Sequence, residues 1–383
     1  MHIAWLGKKS PFCGNVTYGR EVTNAFLDRG NRVSFLHFAA TESETENDSD
    51  CSEVLLPFIY KSQVYTIPSL NSSKILMRSL LELRPDLVHA SLTLSPLDFL
   101  LPEICQELNL PLIATFHPAF DSQKLRNLKA STQFLTYQLY APFLAQYDRV
   151  IVFSRLQRDL LVNMGVKPDK LVIIPNGVDP DKYSPGISDV KQQFKAERLF
   201  IYQGRVATEK NVEALLKAWK HCNLGEDSKL LIVGDGPLDS SLKLSYGKTE
   251  QVIWLGFVAD EHQRINILRG ADVFILPSLV EGLSLSLLEA MACGVACIAT
   301  NTGADGEVLE GGAGVVLDTK NVTTQLKTLL PLFRDQPELI QALGQKGRKR
   351  VLERYTLANN ITILEKLYKE ILNERKFNFI PIP

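Results

Sequence analysis

RLFIYQGRVATEKNVEALLKAWKHCNLGEDSKLLIVGDGP, residues 198–237, decides the fold. A short β-rich run ends at Gly204-Arg205, a helical pattern occupies about 209–221, and a second β-rich run follows at 229–237. Strand, helix and strand in that order predict a parallel pair covered by its crossover helix. Downstream the alternation continues through VIWLGF (252–257), a helix at about 261–270, DVFILPS (272–278), a helix from about 282 and VACIATN (295–301). Upstream, LVIIPNGVDPDKYSPG (171–186) places three prolines and two glycines directly after a strand, punctuation that marks a domain boundary.

Before that boundary the same pattern appears again. HIAWLG, a loop from Gly14 to Gly19, an apolar-periodic segment through Phe26 and Leu27, and RVSFLHF form a βαβ opening. DLVHASL (86–92), PLIATFH (111–117) and RVIVFS (149–154) follow, separated by helical patterns at 72–83 and 98–109. The expectation is an α/β chain of two Rossmann-like, doubly wound parallel-sheet domains, at 1–178 and 179–356, whose carboxyl ends face a central cleft. Residues 357–383 are expected to be a helix and tail that can cross back to the N-terminal domain. Residues 41–53 hold six acids and no base and read as a solvated loop.

The composition narrows the function. Across 383 residues, 42 Lys and Arg face 43 Asp and Glu, which excludes nucleic-acid binding by whole-surface charge. Cysteines at 13, 51, 105, 222, 293 and 297 form no Cys-x-x-Cys pair, so neither a zinc module nor a disulfide framework is indicated. No signal peptide or membrane-spanning run is visible, so the expected setting is the cytoplasmic or stromal side, soluble or peripherally membrane-bound.

Strand ends carry the candidate chemistry. Arg205 and Lys210 flank a helix start, where an anion such as a diphosphate is favoured; the bland reading pairs them with Glu209 and Glu213 as surface charges. Glu281 lies in a loop and Glu289 about two turns along the next helix, within a nearly uncharged segment, so Glu289 needs a specific partner. A ribose diol or sugar hydroxyls suit such carboxylates. His117 closes a strand, with Pro118 stopping it, and is equally readable as structural or functional. Gly14 brackets a loop that lets backbone amides approach a ligand. GDGPLD (234–239) lacks the third glycine of a dinucleotide fingerprint, and Asp48-Ser49-Asp50 and Asp179-Pro180-Asp181 follow no buried strand; neither NAD nor an obligatory metal is expected.

PNGVD (175–179), GR followed by EK (204–210), VGDGP (233–237), WLGF (254–257), SLVEGLSLSLLEAMACG (278–294) and the stretch from Gly303 to Glu307 together resemble the retaining family 4 glycosyltransferases of the GT-B fold. The resemblance implies that Arg205 and Lys210 bind the diphosphate of a nucleotide sugar, Glu289 the ribose, and Glu281 the donor sugar. It adds Gly14, Asn15, Gly256, Gly282, Leu283, Ser284 and Leu285 to the substrate-binding set and places His117 beside the transferred sugar. The implied catalytic set is His117, Glu281, Arg205 and Lys210, acting by charge stabilisation and without a metal or other obligatory cofactor. Departures are Gly282-Leu283-Ser284 where relatives often read Gly-Phe-Gly, Val295 in place of a proline, and Cys13-Gly14-Asn15 in place of a Gly-Gly pair.

The acceptor is read from the first domain. Residues 1–180 hold 17 basic and 18 acidic residues, and 17 against 12 without the acidic stretch. Lys124, Arg126, Lys129, Arg149, Arg155 and Arg158 interleave with Phe134, Tyr137, Tyr140, Phe143 and Tyr147, a mixture that suits an anionic membrane surface or, equally, a helix with buried aromatics. More weakly, the chain resembles cyanobacterial and plastid-type digalactosyldiacylglycerol synthases. The expected reaction is hexose transfer from a UDP-sugar, galactose or glucose, to a membrane glycolipid. The rivals are a soluble or polyprenyl-linked acceptor, a GT-B sugar-nucleotide epimerase, and a non-catalytic sugar-nucleotide binding protein.

Overall fold

The computed structural model describes residues 1–10, 13–39, 52–62, 65–92, 94–119, 128–247 and 250–378, without the side chains of 128–133 and 376–378. The chain divides into two compact units, one of Met1–Pro118, Asn127–Asn176 and Leu357–Pro383, the other of Ala119–Arg126 and Gly177–Thr356.

The first unit holds a sheet of seven strands: β1 (His2–Leu6), β2 (Arg32–Phe38), β3 (Ser52–Leu56), β6 (Leu87–Ser91), β7 (Leu112–Thr115), β8 (Arg149–Val152) and β9 (Leu171–Ile173). Their order is β3-β2-β1-β6-β7-β8-β9, and every pairing is parallel. All five residues of β1 are buried, as a strand covered on both faces requires. The order reverses between β1 and β6, and the crevice outside the carboxyl ends at such a reversal is where open α/β sheets bind ligands.

Two features depart from the sequence reading. The acidic stretch does not run as a loop through residue 53. Residues 40–51 lie outside the described residues, but Ser52 and Glu53 belong to β3, where Glu53 accepts hydrogen bonds from Lys9 and from His37 Nε2, the latter at 3.0 Å. Pairing with β2 and two nitrogen donors compensate the carboxylate for its partial burial. The strands β4 (Phe58–Lys61) and β5 (Thr66–Pro68) form a separate antiparallel pair that the alternation argument did not contain.

The second unit holds six strands, β10 (Arg198–Gln203), β11 (Ser228–Val233), β12 (Val252–Gly256), β13 (Val273–Leu276), β14 (Ala296–Thr300) and β15 (Val315–Leu317), ordered β12-β11-β10-β13-β14-β15 and parallel throughout. Its reversal lies between β10 and β13, so the loops beginning at Gly204 and at Pro277 flank the crevice. The change of unit falls between Asn176 and Gly177, two residues ahead of the expected point. The cause is Val178, whose N–H donates to Tyr355 O at 2.9 Å within the second unit.

The helix Leu357–Asn378 belongs to the first unit. Tyr368 on it is fully buried and stacks on Phe26 with ring centroids 5.3 Å apart, and Arg375 and Glu374 pair with Asp148 and Arg149. Among the described residues no helix is long and apolar enough to cross a membrane.

Candidate functional site

In the second unit the chain leaves β10 at Gly204, turns through Arg205 and Val206, and makes a short 3-10 turn at Thr208–Lys210 before the helix Val212–Cys222. Glu209 O accepts Leu279 N–H at 2.7 Å, which ties this loop to the one leaving β13. The tie brings Lys210 to Glu281: Nζ lies 2.5 Å from Oε1, and Ser278 Oγ donates to the same oxygen at 2.8 Å. Both side chains are largely buried, where an ion pair is screened less than on the surface. Arg205 keeps its guanidinium exposed, 3.8 Å from Glu209. The bland pairing therefore holds for Arg205 with Glu209 but not for Lys210, because Glu213 is taken by Lys217 at 2.9 Å.

Glu289 is half-buried on the helix Leu285–Ala292 and accepts Gln203 Nε2–H at 3.1 Å, a partner of the kind its apolar segment demanded. Ser284 caps that helix by accepting Leu287 N–H at 3.3 Å. The loop before it is clamped from the 302–305 turn: Gly282 O accepts Ala304 N–H at 2.6 Å, and Asp305 Oδ1 accepts Ser284 N–H at 3.0 Å. Asp305 is fully buried, and burial, reinforced by the charge of Glu281, raises its carboxyl well above the usual range. Leu283 is buried and Leu285 half-buried. Gly256 ends β12 with φ +68 and accepts Gly234 N–H through its carbonyl at 2.7 Å. The GDGP glycines serve packing: a Cβ on Gly234 or Gly236 would collide with the carbonyl of Gly204 or Val206.

In the first unit Gly14 opens the helix Gly14–Asp28 behind Cys13, with open space where its Cβ would be. Asn15 follows it. Ser91, the last residue of β6, donates from Oγ to Asn15 Oδ1 at 2.7 Å and contacts His117 Nε2 at 2.8 Å. The His117 ring sits between the edges of Tyr18 and Phe153, with centroids at 5.0 and 5.2 Å. Burial, with the Lys8 ammonium second, lowers its imidazole to about 3, so His117 is neutral at physiological pH. Below it, Thr115 Oγ1 joins Tyr18 OH (3.1 Å) to His89 Nε2 (2.8 Å), and His89 Nδ1 meets Tyr368 OH.

The structure thus brings Arg205, Lys210, Glu281, Gly282, Ser284 and Glu289 to one reversal point, and Gly14, Asn15 and His117 to the other. Sequence reasoning missed Gln203, Ser278, Asp305 and Ser91. Gln203 and Ser91 are polar residues closing buried strands, and that position was the available signal. Asp179 caps its own turn by accepting Asp181 and Lys182 N–H, while Asp48 and Asp50 lie outside the described residues. Among the described residues no group of three or more His, Cys, Asp or Glu side chains is placed to hold a metal ion.

The aromatics of 121–158 divide. Tyr137, Tyr140 and Tyr147 are buried, and their hydroxyls donate to Pro118 O, Asp98 Oδ2 and Asp98 O, so they do not form a membrane face. Phe134, Leu135 and Leu139, which share the helix Leu128–Leu144 with Tyr137 and Tyr140, are exposed. Lys124 and Arg126 lie outside the described residues, as does the side chain of Lys129.

Residues 14–182 match the model of Glycosyltransferase Family 4, and residues 186–350 match that of Glycosyl transferases group 1. A UDP-Gal:alpha-D-GlcNAc-diphosphoundecaprenol alpha-1,3-galactosyltransferase of Escherichia coli is 27% identical over 66% of this chain and 67% of its own. An alpha-monoglucosyldiacylglycerol synthase of Streptococcus pneumoniae is 28% identical over 71% of this chain and 65% of its own. The N-acetyl-alpha-D-glucosaminyl L-malate synthase of Bacillus anthracis, 28% identical, is spanned over only 57% of its length. Among solved structures, sucrose-phosphate synthase from Thermosynechococcus elongatus superposes with a TM-score of 0.79 at 19% identity, covering 97% of this chain and 99% of that one. Anabaena HepE in complex with UDP-glucose gives 0.77 at 16%, covering 98% and 100%.

Two parallel-sheet α/β units of this order define the GT-B fold. The chain belongs to the GT-B glycosyltransferases, with a family 4 part followed by a group 1 part.

Proposed function

We propose that the protein transfers a hexose, with retention, from UDP-galactose or UDP-glucose to a hydroxyl of a membrane glycolipid such as a galactosyldiacylglycerol. The observation that carries the reading is the Lys210–Glu281–Ser278 cluster, with Arg205 and the Gln203–Glu289 pair, around the reversal between β10 and β13. Cations on a loop that leads into a helix suit a diphosphate, and carboxylates already oriented by fixed donors suit diols.

In this reading Arg205 and Lys210 hold the diphosphate and stabilise the charge that develops on it as the bond to the sugar breaks. Glu289, steadied by Gln203, takes the ribose hydroxyls. Glu281 and the 282–285 loop hold the sugar, and the clamp from Ala304 and Asp305 fixes that loop. His117, neutral, is the first unit's partner for a substrate hydroxyl. No step requires a metal or other cofactor. The exposed Phe134, Leu135 and Leu139 supply apolar contact for peripheral attachment on the cytoplasmic or stromal side.

Support for a lipid acceptor comes from the activities of the Streptococcus and Escherichia relatives, and support for a UDP-sugar from the HepE complex. The Escherichia name also favours the second reading, a polyprenyl-linked acceptor. Purified protein is incubated with UDP-galactose, UDP-glucose or GDP-mannose, with and without glycolipid vesicles or polyprenyl-diphosphate sugar, and products are weighed by mass spectrometry. A hexose added to the diacylglycerol glycolipid is the expected result. Transfer only to the polyprenyl substrate selects the second reading, and absence of transfer to either refutes both.

A further inference from the structure

His89 and His117, both near the carboxyl ends of the first sheet, differ in one respect. His89 uses both ring nitrogens internally, Nδ1 with Tyr368 OH and Nε2 with Thr115 Oγ1, and stacks on Trp5 at 4.1 Å. It is a closed core residue. His117 has a single hydrogen bond among the described residues, from Nε2 to Ser91 Oγ, and its Nδ1 is left over.

The direction of that bond follows from proton counting. Asn15 Nδ2 points at Leu92 O, 3.5 Å away, which turns its carbonyl oxygen toward Ser91. An amide oxygen only accepts, and a serine hydroxyl has one proton, so Ser91 spends that proton on Asn15 Oδ1. The Ser91–His117 bond must then take its proton from the imidazole. A neutral imidazole carries one N–H, so when that N–H is on Nε2, Nδ1 is a bare lone pair. The ring stays neutral because desolvation and the nearby Lys8 ammonium disfavour its charged form.

We infer that Ser91 and Asn15 are positioning residues that lock His117 in its Nε2–H form and hold Nδ1 as a standing hydrogen-bond acceptor for a substrate hydroxyl. An acceptor lone pair discriminates. It takes a sugar or glycerol O–H, and it repels a phosphate oxygen, which is itself an acceptor. Recognition of a hydroxyl by His117 rests on the glycosyltransferase reading, but the tautomer does not.

The test therefore reads the tautomer first. Long-range 1H–15N correlation spectra of the intact protein, labelled at histidine nitrogens, report which nitrogen carries the proton; H117Q identifies the His117 signals by their loss. The expected result is a protonated Nε2 and bare Nδ1 at pH 7, shifting toward a mixture of tautomers in S91A and restored in S91T. Kinetically, kcat/KM falls about tenfold in S91A while UDP affinity stays within twofold. A protonated Nδ1 in the unsubstituted protein overturns the inference, and so does an unchanged tautomer in a folded S91A. If S91A fails to fold, N15D replaces it: a carboxylate is also only an acceptor, so the Nε2–H form must persist, and its loss overturns the inference. An absence of transferase activity leaves these spectra readable and counts against the proposed function alone.

Discussion

Gly303→Ala tests the clamp on the 281–284 loop. Gly303 has φ +56, and a Cβ built there would lie 2.3 Å from the carbonyl oxygens of both Glu281 and Gly282. To reach the 3.0 Å that real contacts keep, those carbonyls must withdraw about 0.7 Å, carrying the Glu281 carboxylate away from Lys210 and Ser278. The left-handed backbone costs an alanine about 1–2 kcal/mol, and overpacking adds about 1–3 kcal/mol. Gly312→Ala is the control. Its φ is +80, but the nearest atom to a Cβ is Lys346 Nζ at 3.7 Å, so it carries the backbone cost alone. By calorimetry Gly312→Ala should lower the melting of its unit by about 2–8 °C, and Gly303→Ala by more. Turnover should fall on the order of 10²-fold in Gly303→Ala, the cost of misplacing a reacting group by about 1 Å, and change little in Gly312→Ala. Equal turnover in the two variants, both folded, refutes the claim that this contact positions the site.

Lys210→Met leaves Glu281 largely buried without its cation, so it should destabilise the second unit by about 3 kcal/mol and weaken UDP binding at least tenfold, read by denaturant titration and calorimetric binding. Glu289→Ala should weaken UDP by about 10–100-fold, with turnover at saturating donor less affected, and equal losses in both would remove Glu289 from the nucleoside side. His117→Ala should leave UDP affinity unchanged and greatly reduce turnover; unchanged turnover ends its assigned role. Chelating agents should leave initial rates unchanged. The two units should respond to acid with opposite sign. Folded His117 and His89 titrate below their unfolded value of 6.5, so their contribution is full above pH 6.5 and is lost as pH falls, for His117 down to about 3. Asp305 titrates above its unfolded value, so its contribution is full below 3.8 and is lost as pH rises through the folded value. Lowering pH from 7 to 5 should depress the melting of the first unit and spare or raise that of the second, and parallel shifts would contradict both assignments.

The fold was legible because buried parallel strands are short, apolar and bounded by turns, and every strand of the two sheets except β3 and β15 stood out as such a run. β3 was hidden because its Ser52 and Glu53 follow directly on an acidic tract, and the nitrogen donors of His37 and Lys9 make a carboxylate tolerable there. The β4–β5 pair was hidden for another reason. Its outer residues Ile59, Tyr60, Tyr65 and Ile67 are exposed, so no alternation of apolar and polar residues announces a covered face.

The site was legible to the extent that its chemistry sits on consecutive residues. Arg205, Lys210, Glu281 and Glu289 fall within motifs read along the chain, but the meeting of Lys210 with Glu281 depends on the reversal between β10 and β13, which adjacency in sequence does not encode. Asp305 makes the same point more sharply. It stands among Gly303, Ala304 and Gly306, a stretch that carried the family resemblance without a role for Asp305, yet it is fully buried with one oxygen on Ser284 N–H and the other without a partner among the described residues. A carboxylate in that setting is too costly to keep ionised, and its carboxyl is accordingly raised. The acid therefore clamps the loop from beneath through the backbone of Ser284, and burial favours its uncharged form beside Glu281. Replacing it by Asn keeps the acceptor and the neutrality, and replacing it by Leu removes the acceptor. If the clamp is its function, Asp305→Asn should retain turnover within about threefold while Asp305→Leu strands the Ser284 amide and loses about 1–3 kcal/mol of stability together with activity. The reverse ranking would show that the proton, rather than the acceptor oxygen, is what the site needs from Asp305.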